Sequence, residues 1–400
     1  MLRFYIASLT FGLWLAPTTA AQTWTPQNSG TAAELTGVHF LDATTGFAVG
    51  EGGVLLSTTD GGATWTARTL AADDLEGIDF NPSGTVGIIA TDDGYVFRSV
   101  DGGATWVLGY TGAGDLRGVD WADDAVVWVA GRDGDSAVST DGGQTWTYRS
   151  TGSSDRTEGV AAVSAQEAWV VNRSGEIRHT DNGGATWANQ PSGTGDDLND
   201  VQMLDAQTGY IAGGAGVLKT TNGGATWAAV YGGESEGLFF LDADTGWVVG
   251  EAGGIWFTDG GGSSWTLQPS GVGSALIDVH FPTTGVGWAV GEGGTIVKFA
   301  APTTATEPGA APGGFVLSEA QPNPFASATR LTLAVAEAQA VRVEVFDGLG
   351  RRVATLHDGV LDAGPHPLVF DATALPAGIY AVRATGAAGG LATRRLVVAR

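Results

Sequence analysis

The chain has no cysteine. Disulfides, zinc–thiolate centres and thiol nucleophiles are therefore excluded. Bases are scarce: 19 Lys and Arg stand against 43 Asp and Glu, the formal net charge is −24, and the lysines are Lys219 and Lys298. A surface this acidic repels phosphate backbones and anionic lipid, so no nucleic-acid partner is expected. Beyond the first residues no segment approaches the length of apolar run that a membrane helix needs, and no transmembrane span is expected in the mature protein. No Gly-rich phosphate loop stands between a strand and a helix, no Ser-His-Asp set is discernible, and no cofactor is implied.

Gly (64 of 400) and Trp (14) are abundant, while charged residues make up only 16%. That mix is too rich in tryptophan and apolar residues for disorder, and it places the glycines in turns between many short strands. The expected fold class is all-β.

The N-terminus, MLRFYIASLTFGLWLAPTTAAQTW, has a basic Arg3, an apolar run from Phe4 to Ala16 and small residues from Thr19 to Ala21. This is the pattern of a secretory signal peptide over residues 1–21.

A repeat follows. STTDGGATW is rewritten as SVDGGATW, STDGGQTW, TDNGGATW and TTNGGATW, and a weaker copy ends at Trp265. The terminal tryptophans Trp65, Trp106, Trp146, Trp187, Trp227 and Trp265 recur about every 40 residues, the spacing of a repeat architecture. Within each unit, three or four short runs of β-branched and aromatic residues are broken by TG, GG or DG, as four strands of a propeller blade would be. Units open at Leu35, Leu75, Leu116, Thr157, Leu198, Ser235 and Leu276, which makes seven. The last unit lacks its Trp strand, and QTWTPQ around Trp24 supplies a spare one at the other end of the chain. A seven-bladed β-propeller over 22–300, closed by the N-terminal strand, is expected.

In the repeated phrase, Asp60 can accept hydrogen bonds from the turn that it begins, and Gly61 and Gly62 permit positive φ. Asp60, Asp101 and Asp141 fit the pattern, Asn182 and Asn222 are variants of it, and Gly260 is degenerate. Near-copies spaced around a ring cannot all be one active site, so these are structural turns. The pattern resembles the Asp box of BNR-like propellers. Together with phrases such as TGWVVGEAGG, it is similar to the propeller family of the photosystem II assembly factors. That resemblance implies a seven-bladed, non-enzymatic scaffold that binds another protein.

Residues 301–314, APTTATEPGAAPGG, read as a linker. Beyond them, VRVEVF, RRVATL, HPLVF and IYAVRA alternate like strands and DGLG, DAG and LPAG like turns, so residues 315–400 are expected to form a small Ig-like antiparallel β-sandwich. QPNPF, VEVFDGLGRRVATL, LPAGIYAVRA and RRLVVAR resemble the type A C-terminal sorting domain of the type IX secretion system. The resemblance implies export across the outer membrane, with the type IX machinery as a partner and a secreted or cell-surface location.

Candidate site residues come from positions where the repeats differ. At one register of the first strand the units carry His39, Asp79, Asp120, Ala161, Gln202, Phe239 and His280. His39, Asp79, Asp120 and His280 thus form an arc of groups able to bind a ligand, a divalent metal included. Beside them Glu76, Arg117, Glu158, Asn199 and Glu236 give a mainly acidic mouth. The expected function is a non-catalytic propeller binding protein or polysaccharide at the cell envelope. The alternatives are a sialidase-like extracellular glycosidase, for which no FRIP-like opening is present, and an envelope or photosystem-type assembly factor.

Overall fold

The computed structural model describes residues 23–300 and, from 315 to 398, all but 319, 321–322, 324, 326, 336, 348–350, 374, 377 and 387–390. The expected signal peptide and linker lie outside the described residues. The chain divides into two compact units, 1–302 and 303–400.

Residues 23–300 form seven four-stranded antiparallel sheets. Blades 1 to 7 are numbered here by their first strands: Leu35–Phe40, Leu75–Phe80, Leu116–Trp121, Thr157–Ala162, Leu198–Met203, Gly237–Phe240 and Leu276–Thr283. First strands of successive blades touch, and the seventh touches the first, so they line a central channel. Strand starts agree with the sequence except in blade 6, which begins at Gly237 rather than Ser235. There the Ser235 hydroxyl accepts the Gly213 N–H (3.1 Å) and donates to Gly213 O (3.2 Å), which holds Ser235 against blade 5.

Blade 7 takes its fourth strand from the N-terminus. Thr23–Gln27 pairs antiparallel with Thr295–Ala300, Thr23 opposite Ala300 and Gln27 opposite Ile296. The pairing covers an edge that would otherwise present open backbone groups.

Blades are joined by aromatic stacking. Trp288 of blade 7 stacks on Phe40 of blade 1 (3.4 Å), Tyr210 of blade 5 on Phe240 of blade 6 (3.5 Å), and Trp247 of blade 6 on Phe281 of blade 7 (3.6 Å). Such pairs contribute about 0.5–1.5 kcal/mol beyond the burial itself. The glycine before Phe47, Tyr210, Trp247 and Trp288 fits this packing: a Cβ on Gly246 would lie 2.3 Å from the Phe240 ring.

The Asp boxes act as turn staples. Asp60 Oδ1 accepts the Thr64 N–H (2.9 Å), its Oδ2 accepts the Thr64 hydroxyl (2.6 Å), and Thr58 Oγ1 accepts the Gly62 N–H (2.9 Å). Gly61 and Gly62 have φ of 69° and 81°. Asp101, Asp141, Asn182 and Asn222 repeat the bonds to the residue four positions on. Blade 6, with Gly260 in place of the acid, keeps only the threonine half, Thr258 Oγ1 accepting from Gly262 N (3.0 Å).

The scarce cations have a structural use that the sequence did not disclose. One glycine carbonyl in each turn receives a long side chain from the preceding blade. Arg68 donates to Gly103 O, Arg98 to Gly142 O, Arg149 to Gly183 O, Gln190 to Gly223 O, Lys219 to Gly261 O and Lys298 to Gly61 O, at 2.6–3.0 Å. Both lysines are engaged in this way.

In the second unit, Phe315–Leu317, Ala328–Val335 and Gly364–Asp371 form one sheet. Arg352–Leu361, Gln339–Asp347, Gly378–Gly386 and Leu391–Val398 form a second. Leu331, Leu333 and Phe370 of the first share one buried core with Val343, Val345 and Leu396 of the second. Of QPNPF, Asn323 and Phe325 are described: Asn323 Oδ1 accepts the Val397 N–H (2.7 Å), and buried Phe325 bridges in parallel to Val398, a departure from the expected antiparallel pattern.

Candidate functional site

The channel opens into a cavity of about 550 Å³, lined by His39, Asp79, Asp120, Gln202, Phe239 and His280 among others. The register read from the repeats therefore brings the candidate arc together. The His39 and His280 rings lie 4.3 Å apart, and His39 Nδ1 is 3.0 Å from Asp79 Oδ1.

Three of the four arc residues, His280, Asp79 and Asp120, engage backbone, while His39 faces Asp79. Each first strand has a free inner edge, and its N–H groups need acceptors, which the preceding blade supplies. His280 Nδ1 accepts the Phe40 N–H (3.2 Å), Asp79 Oδ2 that of Trp121 (3.1 Å), and Asp120 Oδ2 that of Ala162 (2.6 Å). Gln202 continues the series with Phe240 (2.7 Å). Two aspartates that sequence reasoning missed do the same one pleat away, Asp278 accepting from Val38 (2.7 Å) and Asp200 from Leu238 (3.0 Å). Their signal was present: every other blade has Gly at that position (Gly37, Gly77, Gly118, Gly159 and Gly237). Among the described residues no group of three or more His, Asp or Glu is arranged to hold a metal ion.

Burial raises the carboxyl pKa values here: Asp278 to about 7 and Asp200 to about 6, with Asp120 raised well above the usual range by burial and the nearby Asp79 charge. Burial, with the neighbouring His39, depresses His280 well below the ordinary imidazole value.

At the mouth, second residues of the first strands join residues of the adjoining loops. Arg117 grips Glu76 as a fork, Nη1 to Oε2 and Nη2 to Oε1, both at 3.0 Å. Glu158 faces Arg156 (3.0 Å), Arg173 (2.5 Å) and Arg117 (3.6 Å). Arg132 pairs with Asp115 (2.7 Å). Glu236 accepts from Asn199 (2.9 Å). Burial raises Glu76 to about 7 against the opposing Arg117 charge, and it raises Glu158 and Glu236 as well. Three arginines, Arg117, Arg156 and Arg173, thus meet at Glu158, while Glu34, Glu236, Glu251 and Glu292 line the rest of the mouth. The Asp-box residues Asp60, Asp101, Asp141, Asn182 and Asn222 sit in the turns already described and not at this cavity. Sequence reasoning found Arg117 but not its convergence with Arg156 and Arg173, because those two precede and follow strands in loops of unequal sequence.

Residues 16–109 match the family model described as photosynthesis system II assembly factor YCF48, and residues 137–148 match the BNR/Asp-box repeat. No curated protein matches. Among solved structures, "YCF48 bound to D1 peptide" is 18% identical, covers 71% of this chain and 99% of its own, and superposes with a TM-score of 0.60. YCF48 from Cyanidioschyzon merolae is 20% identical, with coverage of 70% and 98% and a TM-score of 0.57. The WD40 propeller domain of Doa1 is 11% identical, with coverage of 70% and 97% and a TM-score of 0.60. At these identities the likeness establishes the β-propeller fold.

Proposed function

We propose that this chain is a non-catalytic binding propeller of the cell envelope or surface, and that its channel mouth holds a segment of a protein partner. The observation that carries this reading is the convergence of Arg117, Arg156 and Arg173 on Glu158 in an otherwise acidic mouth. Arginine forks are suited to carboxylates. The partial match to the YCF48 model, and a propeller of that name bound to a peptide, support a peptide-binding face over a polysaccharide site. An assembly role at the envelope is compatible with such a face.

Export belongs to the same proposal. The N-terminal signal-peptide pattern and the Ig-like, sorting-domain-like tail support secretion through the type IX route to the outside of the cell.

A library of fragments of the producing cell's envelope proteins, selected on the immobilised full chain, tests the binding role. Sequences enriched by wild type and lost on an Arg156→Ala, Arg173→Ala double variant are expected; equal enrichment by both would refute it. The glycosidase reading keeps one observation in its favour, three arginines around one carboxylate, and turnover of a sialoside would establish it.

A further inference from the structure

Glu158 is the carboxylate at the centre of the arginine cluster, with a side chain only 9% exposed. Arg156 Nε and Arg173 Nε both approach its Oε1, and Arg117 Nη1 stands 3.6 Å from its Oε2. For so many positive neighbours the fit is poor. Glu158 Oε1 and Arg156 Nε are both buried, and neither has an aligned hydrogen-bond partner. Buried polar atoms in this state cost free energy that a well-formed ion pair would recover. Glu76, in contrast, takes the whole fork of Arg117. Arg117 is therefore held in place without Glu158, and Arg173 is half exposed, its side chain 52% accessible from outside.

We propose that Glu158 is a resident surrogate ligand, whose carboxylate keeps the place that a partner's carboxylate takes between Arg117, Arg156 and Arg173. This rests on the reading of the mouth as the partner-binding face. Binding is then an exchange of one carboxylate for another. The exchange leaves the charge of the cluster unchanged, and the cavity beside it, which Glu158 also lines, offers room for the displaced side chain. The group received is the carboxylate of a peptide, at its C-terminus or on Asp or Glu. A phosphate brings additional negative charge to a mouth already lined by Glu34, Glu236, Glu251 and Glu292, and is disfavoured. Burial raises the pKa of Glu158 against the opposing charges of Arg117 and Arg173.

The test is titration calorimetry of the full chain as wild type, Glu158→Gln and Glu158→Ala. The probes are an N-acetylated alanine hexapeptide with a free α-carboxylate, the same peptide as its C-terminal amide, and N-acetylneuraminic acid. Both variants should bind the free-acid peptide on the order of tenfold more tightly than wild type, the gain of about one charge-assisted hydrogen bond. The amide should gain nothing, and adding Arg173→Ala should abolish the improvement. Equal affinity of wild type and variants would overturn the surrogate role, as would a gain shared by the amide. A gain for N-acetylneuraminic acid alone would overturn the peptide assignment. If both variants fail to fold, the wild type decides: the Arg173 Nε–H resonance should shift with the free-acid peptide and not with the amide, and an unmoved resonance refutes the proposal. Fragment enrichment that depends on Arg156 and Arg173, with no effect of Glu158, would sink the surrogate role alone; loss of that dependence would sink the binding face itself.

Discussion

The indole N–H of Trp24 donates to the side-chain oxygen of Gln268 at 2.8 Å, joining positions 244 residues apart. Gln268 follows the last strand of blade 6, and Trp24 also packs on Phe281 and Phe299 of blade 7, so the closing strand is anchored to both blades. Replacing Trp24 by Ala should cost about 3–5 kcal/mol, as for other buried tryptophans. Removing residues 22–27 should cost more, since five backbone pairings go with it. Urea denaturation measures both, and a truncated chain as stable as the intact one would refute the shared blade.

Stability should depend on pH in two opposed ways. Asp278 and Glu76, at about 7, and Asp200, at about 6, have folded pKa values above their ordinary ones, so the native state binds the extra protons. Their contribution grows as pH falls through those values and is complete below the unfolded carboxylate range; His280, depressed, works against them. Asp60, Asp101 and Asp141, lowered to about 2 by hydrogen bonds within their turns, contribute above the ordinary carboxylate value and lose that contribution as pH falls toward 2. The melting temperature should rise from about pH 8 to about pH 5 and fall below about pH 4. Calorimetry across this range checks it, and a profile that only declines from neutrality would contradict the channel assignment.

A single Asp-box carboxylate should matter modestly. Asp101→Ala should lower the melting temperature by roughly 2–4 °C, the effect of a lost turn cap in a domain of this size. Asp101→Asn should lose less, because Asn182 and Asn222 already hold the same turn. An unchanged melting temperature in the alanine variant would remove the staple role.

Asp278→Ala should destabilise by about 1–3 kcal/mol, by leaving the Val38 N–H without its acceptor. The His39→Ala, His280→Ala double variant should likewise melt below wild type. If it melts as wild type does but loses the heat of a divalent-cation titration, the arc is a ligand site and not a clamp.

The turns, blade number and closure were legible because they repeat: Asp60 and its equivalents occur at one spacing, and Trp24 supplies the strand missing after Ala300. The register of His39, Asp79, Asp120 and His280 was legible for the same reason. What those side chains do there was not, since whether an inner-strand Asp faces the lumen or the next blade's N–H depends on how closely blades approach. Arg156 and Arg173 were illegible because loops, unlike strands, impose no period. The sequence could not show that their guanidinium groups meet at Glu158.

Export can be followed separately. The surface form should begin near Gln22 and lack the segment after about Gly314, as mass spectrometry of the released protein would show. Normal surface display after deletion of residues 315–400 would remove the sorting role.

The most direct measurement is photo-crosslinking in the producing cell from exposed position 174, the chain neighbour of the mouth residue Arg173, with position 267 on the exposed last strand of blade 6 as the control. A discrete peptide crosslinked from 174, absent from 267 and lost with Arg173→Ala, is the expected result. Crosslinks from 267 alone, or from 174 without dependence on Arg173, would contradict the mouth as the binding face.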